Sequence, residues 1–381
     1  MKYLTLDDVC LLNMGQSPDS STYNEVGEGL PFYQGNADFG ERYPQCRIWC
    51  SEPTKIAEKE DVLISVRAPI GALNEAREKC CIGRGLAAIR PKGGLNKDFL
   101  YYFLLSKKSY LISKGTGSTF KAISKNVLRE LTIPVPTLQE QEKQSGILNT
   151  LWRVICKRRT QQAKLDELIK CRFVEMFGTY PANEKGWKTG TIRDVIQEAR
   201  YGASRPAVEG GQYPYLRMNN ITYGGDLDLS DTKRINVPEA ELPKCTVRRG
   251  DVLFNRTNSK ELVGKTCVYN RDEMMVLAGF VIRVRVNDSV LPEFLAAFLN
   301  AGFSKHMLLN MCKSAIGQAN INAQEMQDIE IYIPPISSQQ EYVSFKNQID
   351  KFKFACFFFQ LITVLQKIII FFRNFLICFL F

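Results

Sequence analysis

A cluster of polar side chains follows the apolar stretch Asp251–Phe254 in the second half of the chain. Arg256, Asn258, Ser259 and Lys260 come directly after residues with the pattern of a buried strand. Arginine can bind guanine O6 and N7 with two hydrogen bonds, asparagine can pair with adenine, and serine and lysine can hold phosphates. The cluster is therefore typical of a segment that contacts nucleic acid.

Comparable polar clusters occur elsewhere in both halves of the chain. The other candidate DNA-contacting residues of the second half are Arg217, Asn219, Asn220, Gln318 and Asn320. The candidates of the first half are Gln34, Asn36, Arg67, Ser118, Thr119 and Lys121. A solvated loop of turn-forming Asn, Ser and Gly has the same composition, and for any one loop that interpretation is at least as good. The occurrence of three such clusters at matching positions in the two halves favours nucleic-acid binding over solvated loops.

The two halves share a repeated design, which suggests how these clusters are positioned. The matching segments are Lys59–Gly71 with Arg249–Gly264, Gly85–Leu104 with Gly279–Leu299, and Leu128–Lys143 with Met326–Tyr342. The offset between copies grows from 190 residues (Asp61 to Asp251) to 198 (Pro136 to Pro334), so insertions fall in loops. The simplest account is two copies of one α/β (α+β) domain, each followed by a helix.

A long helix is predicted between the copies. Residues 138–177 contain no proline and only one glycine, Gly146, and their apolar residues form a single modest stripe. A run of about 35 residues would span about 50 Å at 1.5 Å per residue. We therefore expect a globular domain at 1–137, a long helix at 138–178, a second globular domain at 179–335 and a second helix at 336–381.

Catalytic chemistry is not indicated by the sequence. There is no glycine-rich cofactor loop, Walker loop, Asn/Asp-Pro-Pro-aromatic segment or serine nucleophile elbow, and His306 is the only histidine. The twelve cysteines lack the paired C-x-x-C spacing of zinc sites, so we predict reduced thiols, no metal site and no catalytic residue. The net charge of +10, or +6 for the first 350 residues, is compatible with a polyanionic partner.

These segments resemble the specificity subunit of type I restriction–modification systems. The resemblance covers about residues 1–350 and is carried by Gly250–Lys265, Leu216–Ile221 and the Pro136–Gln141 run, which is weakly repeated at Pro334–Gln339. It implies two target-recognition domains, each reading half of a bipartite DNA target, joined by long coiled-coil spacer helices that pair antiparallel.

The same resemblance implies a non-catalytic chain with no cofactor of its own. The implied partners are double-stranded DNA, two modification (methyltransferase) subunits that use S-adenosylmethionine, and restriction (translocase/nuclease) subunits that use ATP and Mg²⁺. A cytoplasmic location is expected, since the first residues lack the apolar core of a secretory signal. The alternative is a free-standing DNA nuclease or methyltransferase fragment, which would need a metal cluster or cofactor loop.

The C-terminal segment departs from the repeat. After Lys351 the chain reads FKFACFFFQLITVLQKIIIFFRNFLICFLF, apolar nearly all round where an amphipathic helix is expected. Lys367 and Arg373 divide it into pieces shorter than the ~20 residues of a membrane span, so no membrane association is expected. A scaffold anchored to a membrane by this segment is the second alternative. We hypothesise a frameshift, which translation of the other reading frames of the gene would test.

Overall fold

The computed structural model describes residues 2–117, 121–315 and 318–375, with side chains described except at 313–315, 318 and 356–375. The chain forms two compact units. Unit 1 comprises Met1–Lys157 with Gln360–Phe381, and unit 2 comprises Arg158–Phe359. The boundary between them falls inside the first long helix, and each unit is described by itself below.

Unit 1 is rich in short strands. Its strands are β1 (Lys2–Thr5), β2 (Cys10–Met14), β3 (Tyr23–Asn24), β4 (Leu30–Tyr33), β5 (Trp49–Cys50), β6 (Ile56–Ala57), β7 (Val62–Ser65), β8 (Leu73–Glu75), β9 (Cys80–Ile82), β10 (Leu86–Pro91) and β11 (Thr132–Val135). Its helices are α1 (Leu6–Val9), α2 (Lys97–Ser106), α3 (Lys108–Ser113), α4 (Lys125–Arg129) and the start of α5 (Leu138–Phe177). The strands form the sheets β2-β10-β7-β8, β3-β5-β4-β9-β6 and β1-β11.

Strand β7 lies at the centre of unit 1 and is buried on both faces. Val62 and Ile64 pack in one core with Phe99 of α2, while Leu63 points the other way into a core with Tyr33 of the second sheet. A strand covered on both faces has no polar position to alternate with, which explains its continuous apolar run. Asn96 caps α2 because its side chain accepts a hydrogen bond from the Phe99 amide.

Unit 2 repeats this construction with insertions. Its strands are β12 (Lys188–Thr191), β13 (Ile196–Tyr201), β14 (Tyr213–Leu216), β15 (Lys233–Ile235), β16 (Thr246–Val247), β17 (Val252–Asn255), β18 (Thr257–Asn258), β19 (Thr266–Val268), β20 (Met275–Leu277), β21 (Val281–Val286), β22 (Lys313–Ala315), β23 (Gln318–Asn320) and β24 (Glu330–Ile333). Its helices are the rest of α5, α6 (Leu242–Cys245), α7 (Pro292–Asn300), α8 (Gly302–Met311), α9 (Ala323–Gln327) and α10 (Ile336–Phe375), which begins in this unit.

The sheet order confirms the predicted repeat. Unit 2 has the sheet β13-β21-β17-β19, which corresponds strand by strand to β2-β10-β7-β8 of unit 1. Its other sheets are β15-β14-β20-β16, β18-β23-β22 and β12-β24. Val252 and Phe254 of β17 pack with Phe294 of α7, while Leu253 packs with Leu277 on the opposite face. The mixed α/β class predicted from the sequence is thus confirmed.

The two long helices pack against each other within unit 2. Phe173 and Phe177 of α5 surround Tyr342 of α10, with ring centroids 5.2 and 5.8 Å away. Farther from this cluster, Arg158 donates to the Lys353 carbonyl oxygen at 2.6 Å. Residue numbers rise along α5 as they fall along α10, so the helices run antiparallel.

The structure tests the sequence predictions for the two long helices to different extents. Helix α5 ends at Phe177, and the next residue, Gly178, adopts φ +83° as a C-terminal glycine cap does. The frameshift hypothesis concerns the segment after Lys351. The side chains of this segment from residue 356 onward lie outside the described part of the structure. Among the described residues, no helix has the length and apolarity that crossing a membrane requires.

Candidate nucleic-acid interface

A buried aspartate fixes the start of the central strand in each unit. The Asp61 carboxylate accepts from Arg90 Nε at 2.7 Å and from the Glu58 amide at 2.9 Å. Asp251 repeats both contacts, with Arg285 Nε at 2.8 Å and the Arg248 amide at 2.9 Å. A paired and hydrogen-bonded buried carboxylate holds the strand in one register. The opposite ends of β7 and β17 carry the candidate reading residues.

Arg256 stands at the end of β17 with its backbone held on both sides. Its amide donates to the Phe280 carbonyl oxygen at 3.0 Å, and its carbonyl oxygen accepts from the Ile321 amide at 2.9 Å. Its guanidinium carbon lies 4.8 Å from the centre of the Tyr201 ring. The Tyr201 hydroxyl in turn accepts from the Ala323 amide at 2.8 Å. The arginine is therefore pre-positioned by an aromatic ring that is itself fixed.

The structure brings Arg256–Lys260 together with the later segment that ends at Asn320. Strand β18 pairs with β23, and Thr257 faces Asn320. The Thr257 hydroxyl donates to Asn320 Oδ1 at 3.1 Å. Asn258 Oδ1 accepts from the Ser259 amide at 2.9 Å, and Lys260 is exposed. Two clusters about sixty residues apart in the chain thus form one surface, whereas the side chain of Gln318 lies outside the description.

The third cluster of unit 2, Arg217–Asn220, is a loop whose two asparagines differ. Asn219 is exposed, but Asn220 is 2% exposed and its Nδ2 donates to the Asp228 carbonyl oxygen at 2.8 Å. Asn220 Oδ1 accepts from the Arg217 amide at 2.9 Å, and the Arg217 side chain pairs with Asp231 at 3.0 Å. Asn220 therefore holds the loop, and Asn219 is the asparagine free to contact a ligand.

Lys265 ties that loop to the end of the β17–β19 connection. Its Nζ donates to the carbonyl oxygens of Met218 at 3.1 Å and Ile221 at 2.6 Å. Burial lowers the pKa of Lys265 because an ammonium group loses solvation there. Lys265 and Tyr201 were not among the residues predicted to bind. Lys265 stands at the end of the same polar stretch, but nothing in the sequence connects Tyr201 to Arg256.

In unit 1 the structure brings Arg67 and Lys121 together. The Ala68 amide donates to the Lys121 carbonyl oxygen at 3.0 Å, and Arg67 forms an isolated bridge with Ala122. Both side chains are exposed. The arrangement corresponds to that of Thr257 with Asn320 in unit 2. Two other candidates of this cluster, Ser118 and Thr119, lie outside the described residues.

The Gln34 and Asn36 loop of unit 1 follows β4. The Asp38 carboxylate accepts from the Gln34 amide at 2.8 Å, which fixes the turn, and the Gln34 side chain is exposed while Asn36 is half-buried. The Gly85 amide donates to the Gln34 carbonyl oxygen at 3.1 Å, and the Gly85 carbonyl oxygen accepts from Val66 at 2.9 Å. A Cβ at Gly85 would lie 2.4 Å from that Gln34 oxygen, so only glycine permits this approach. The loop is thus joined to the residue that precedes Arg67.

Metal chemistry has no support in the part of the chain described. No three His, Cys, Asp or Glu side chains there are grouped as metal ligands would be. The arrangement instead offers cations, amides and hydroxyls at strand ends, which are donors and acceptors suited to phosphates and base edges.

Comparison with known proteins identifies relatives of both units. The family model described as "Type I restriction modification DNA specificity domain" matches residues 1–165 and 184–357. A Methanocaldococcus jannaschii protein named as a type I restriction enzyme MjaX specificity subunit is 42% identical over 158 residues, covering 41% of this chain and 37% of the relative. The type I restriction enzyme EcoKI specificity subunit of Escherichia coli is 24% identical over 283 residues, covering 70% and 61%.

One solved structure shows the same fold along nearly the whole chain. It is the S subunit of a type I restriction–modification system from M. genitalium, with a TM-score of 0.52 and 16% identity, and the match covers 96% of this chain and 95% of that one. The matches to the two curated relatives, by contrast, span only 37% and 61% of their lengths.

Proposed function

Since this chain belongs to the type I restriction modification DNA specificity family, we propose that it reads a bipartite DNA target, one half with each unit. One observation carries this proposal: the two units share a backbone arrangement but differ in the side chains that it presents. The four-stranded sheet that contains β7 or β17 has the same strand order in both units. Unit 1 presents Arg67 where unit 2 presents Thr257, and Arg256 of unit 2 stands where unit 1 has Val66. A shared frame with different donors reads two different half-sites.

The proposed reading residues are those that the structure leaves accessible. In unit 2 they are Arg256, Asn258, Ser259, Lys260, Asn219 and Asn320, with Arg217 held to Asp231 beside them. In unit 1 they are Gln34, Asn36, Arg67 and Lys121. Asn220 is assigned to holding its loop, while Ser118, Thr119 and Gln318 stay predictions from the sequence.

The long helices are proposed to space the units and to carry partner subunits. Helix α5 has 40 residues, which corresponds to about 60 Å of helix, longer than one turn of duplex DNA at about 34–36 Å. The proposed partners are double-stranded DNA, two modification subunits and restriction subunits. In this account the partners supply S-adenosylmethionine, ATP and Mg²⁺ chemistry in the cytoplasm, and this chain supplies recognition.

A selection from random duplexes tests the proposal. The full chain, purified with its modification subunits, would be incubated with duplexes carrying a randomised 24-base-pair segment. We expect the retained pool to share two short motifs separated by a fixed number of unspecified base pairs. A pool with one continuous motif, or with none, would contradict the proposal.

A further inference from the structure

The helices that follow β10 in unit 1 carry an unusual concentration of positive charge. No acidic residue occurs between Asp98 and Glu130, whereas Lys107, Lys108, Lys114 and Lys121 lie within that segment. Lys107 follows α2, Lys108 begins α3, and Lys114 follows α3. Lys108 and Lys114 are exposed and Lys107 is half-exposed. The lysine surface is defined here as Lys107, Lys108 and Lys114.

The lysine surface adjoins the candidate reading loops of the same unit. A Cβ at Gly71, which ends the loop that starts at Arg67, would lie 3.2 Å from Lys108 Cγ. A Cβ at Gly115, next to Lys114, would lie 3.5 Å from Lys121 Cβ. The Lys108 stem therefore packs beside the loop that carries Arg67, and the residue after Lys114 approaches Lys121. Lys107 precedes Lys108 in the chain, so all three lysines lie on or next to α3.

The three ammonium groups are not neutralised by carboxylates of the described residues. Lys107 Nζ lies 5.7 Å from the Phe103 ring centre and Lys114 Nζ lies 5.4 Å from that of Tyr110. Within the described part of the chain, none of the three lysines forms an ion pair. Lys97 of the same unit, in contrast, pairs with Glu75 at 2.6 Å. Long cationic side chains without acidic neighbours remain available for an external anion.

The corresponding segment of unit 2 lacks this surface. It is also free of acidic residues between Glu293 and Glu325, but its only basic side chains besides His306 are Lys305 and Lys313. Lys305 Nζ is used internally, since it donates to the Gly264 carbonyl oxygen at 2.7 Å. The side chain packed nearest to Gly264 is that of Leu308, whereas Gly71 has Lys108. The lysine surface of unit 1 therefore has no counterpart among the described residues of this segment of unit 2.

We propose that Lys107, Lys108 and Lys114 bind the phosphate backbone of duplex DNA beside the Arg67 and Lys121 loops. The inference rests on the proposed function and adds a sequence-independent contact to the reading surface of unit 1. Lysine acts there as a point charge, which neutralises a phosphate and releases a counterion without distinguishing bases. The α2–α3 segment of unit 1 thus supplies salt-dependent affinity that the corresponding segment of unit 2 does not supply.

The test compares two triple variants of the full chain. K107A/K108A/K114A removes the lysine surface. K55A/K59A/K79A removes the same charge from exposed lysines elsewhere in unit 1, of which Lys79 pairs with Glu58 at 3.8 Å. Binding to a 40-base-pair mixed-sequence duplex would be measured between 50 and 200 mM salt. The slope of log K against log salt should become shallower by about 2–3, since each phosphate contact contributes about 0.9. Affinity at 100 mM salt should fall at least tenfold.

The control variant should keep the slope of the unaltered chain, and thermal unfolding of both variants should confirm that they fold. Equal slopes for the two triple variants would overturn the inference while leaving the proposed function in place. So would a lysine-surface variant that loses binding to phosphatidylserine vesicles but not to the duplex. If the unaltered chain does not bind the duplex even at 50 mM salt, the inference fails, whereas the proposed function is tested separately by the selection from random duplexes.

Discussion

Gln141 and Gln339 make the same three hydrogen bonds with their side-chain amides, one near the start of each long helix. Gln141 accepts from the Asn96 amide at 2.7 Å and donates to the carbonyl oxygens of Gly94 and Pro136, each at 2.9 Å. Gln339 accepts from the Leu291 amide at 2.8 Å and donates to those of Ser289 at 3.1 Å and Pro334 at 2.8 Å. Both are fully buried. Each glutamine side chain therefore joins the first turn of its long helix to the turn that precedes a shorter helix, α2 in unit 1 and α7 in unit 2.

Replacing either glutamine with leucine should destabilise its own unit. Gln141→Leu leaves a buried amide and two carbonyl oxygens without partners, which should cost about 3 kcal/mol of unfolding free energy. Gln339→Leu should do the same in unit 2. Urea unfolding would measure both. The matched controls are Gln139→Leu and Gln340→Leu, because these neighbouring glutamines are exposed. If a buried-site variant lost no more than its control, the amide would not be holding the helix.

Tyr342 should hold the second long helix to the first within unit 2. Tyr342 is 2% exposed and packs between Phe173 and Phe177, so Tyr342→Ala should leave a cavity and cost about 3–5 kcal/mol. Tyr342→Phe keeps the ring and should cost less than about 1 kcal/mol. Chemical unfolding followed by tryptophan fluorescence would compare them, in a background with Trp49→Phe and Trp152→Phe so that Trp187 reports on unit 2. Equal losses for both variants would show that ring packing is not what holds α10.

Lys305 should make the stability of unit 2 rise with pH. Burial, with Lys265 and Lys170 nearby, lowers the pKa of Lys305 from 10.5 to about 8. The unfolded chain therefore binds more protons at this side chain between about pH 8 and 10.5, and folding becomes more favourable as pH increases through that window. Lys305→Met removes the effect. Its stability advantage over the unaltered chain should shrink by about 2 kcal/mol between pH 7.5 and 9.5. A constant difference in urea unfolding at the two pH values would contradict this.

The parts of the fold that depend on neighbouring residues in the chain could be predicted. The repeated Asp-Val-Leu stretch indicated a buried strand at Asp61 and Asp251, and both aspartates pair with an arginine of the adjacent strand. The contact between Arg256 and Tyr201 could not be predicted, because it joins residues 55 positions apart on β13 and after β17, two strands separated by β21 in the sheet. Asn219 and Asn220 have the same side chain, and only the packing of their loop decides which one is buried.

Arg256 and Tyr201 should act together at one half of the DNA target. Arg256→Ala should weaken binding to a target duplex by about 1–3 kcal/mol and relax the choice of guanine at one position. Tyr201→Ala should relax the same position, since it removes the ring that orients the guanidinium, while Tyr201→Phe keeps the ring and should be closer to the unaltered chain. Competition with duplexes substituted in each half-site would measure this. Equal effects on both half-sites would indicate general loss of binding instead.

Mapping of methylated adenines across the genome tests the central claim most directly. Cells carrying the unaltered gene, a deletion and the Arg256→Ala variant would be compared by sequencing that detects the modified base. We predict a bipartite motif that disappears on deletion and that changes in one half only in the variant. A motif that survives deletion of the gene, or one that changes in both halves with Arg256→Ala, would contradict the assignment of one reading unit to each half-site.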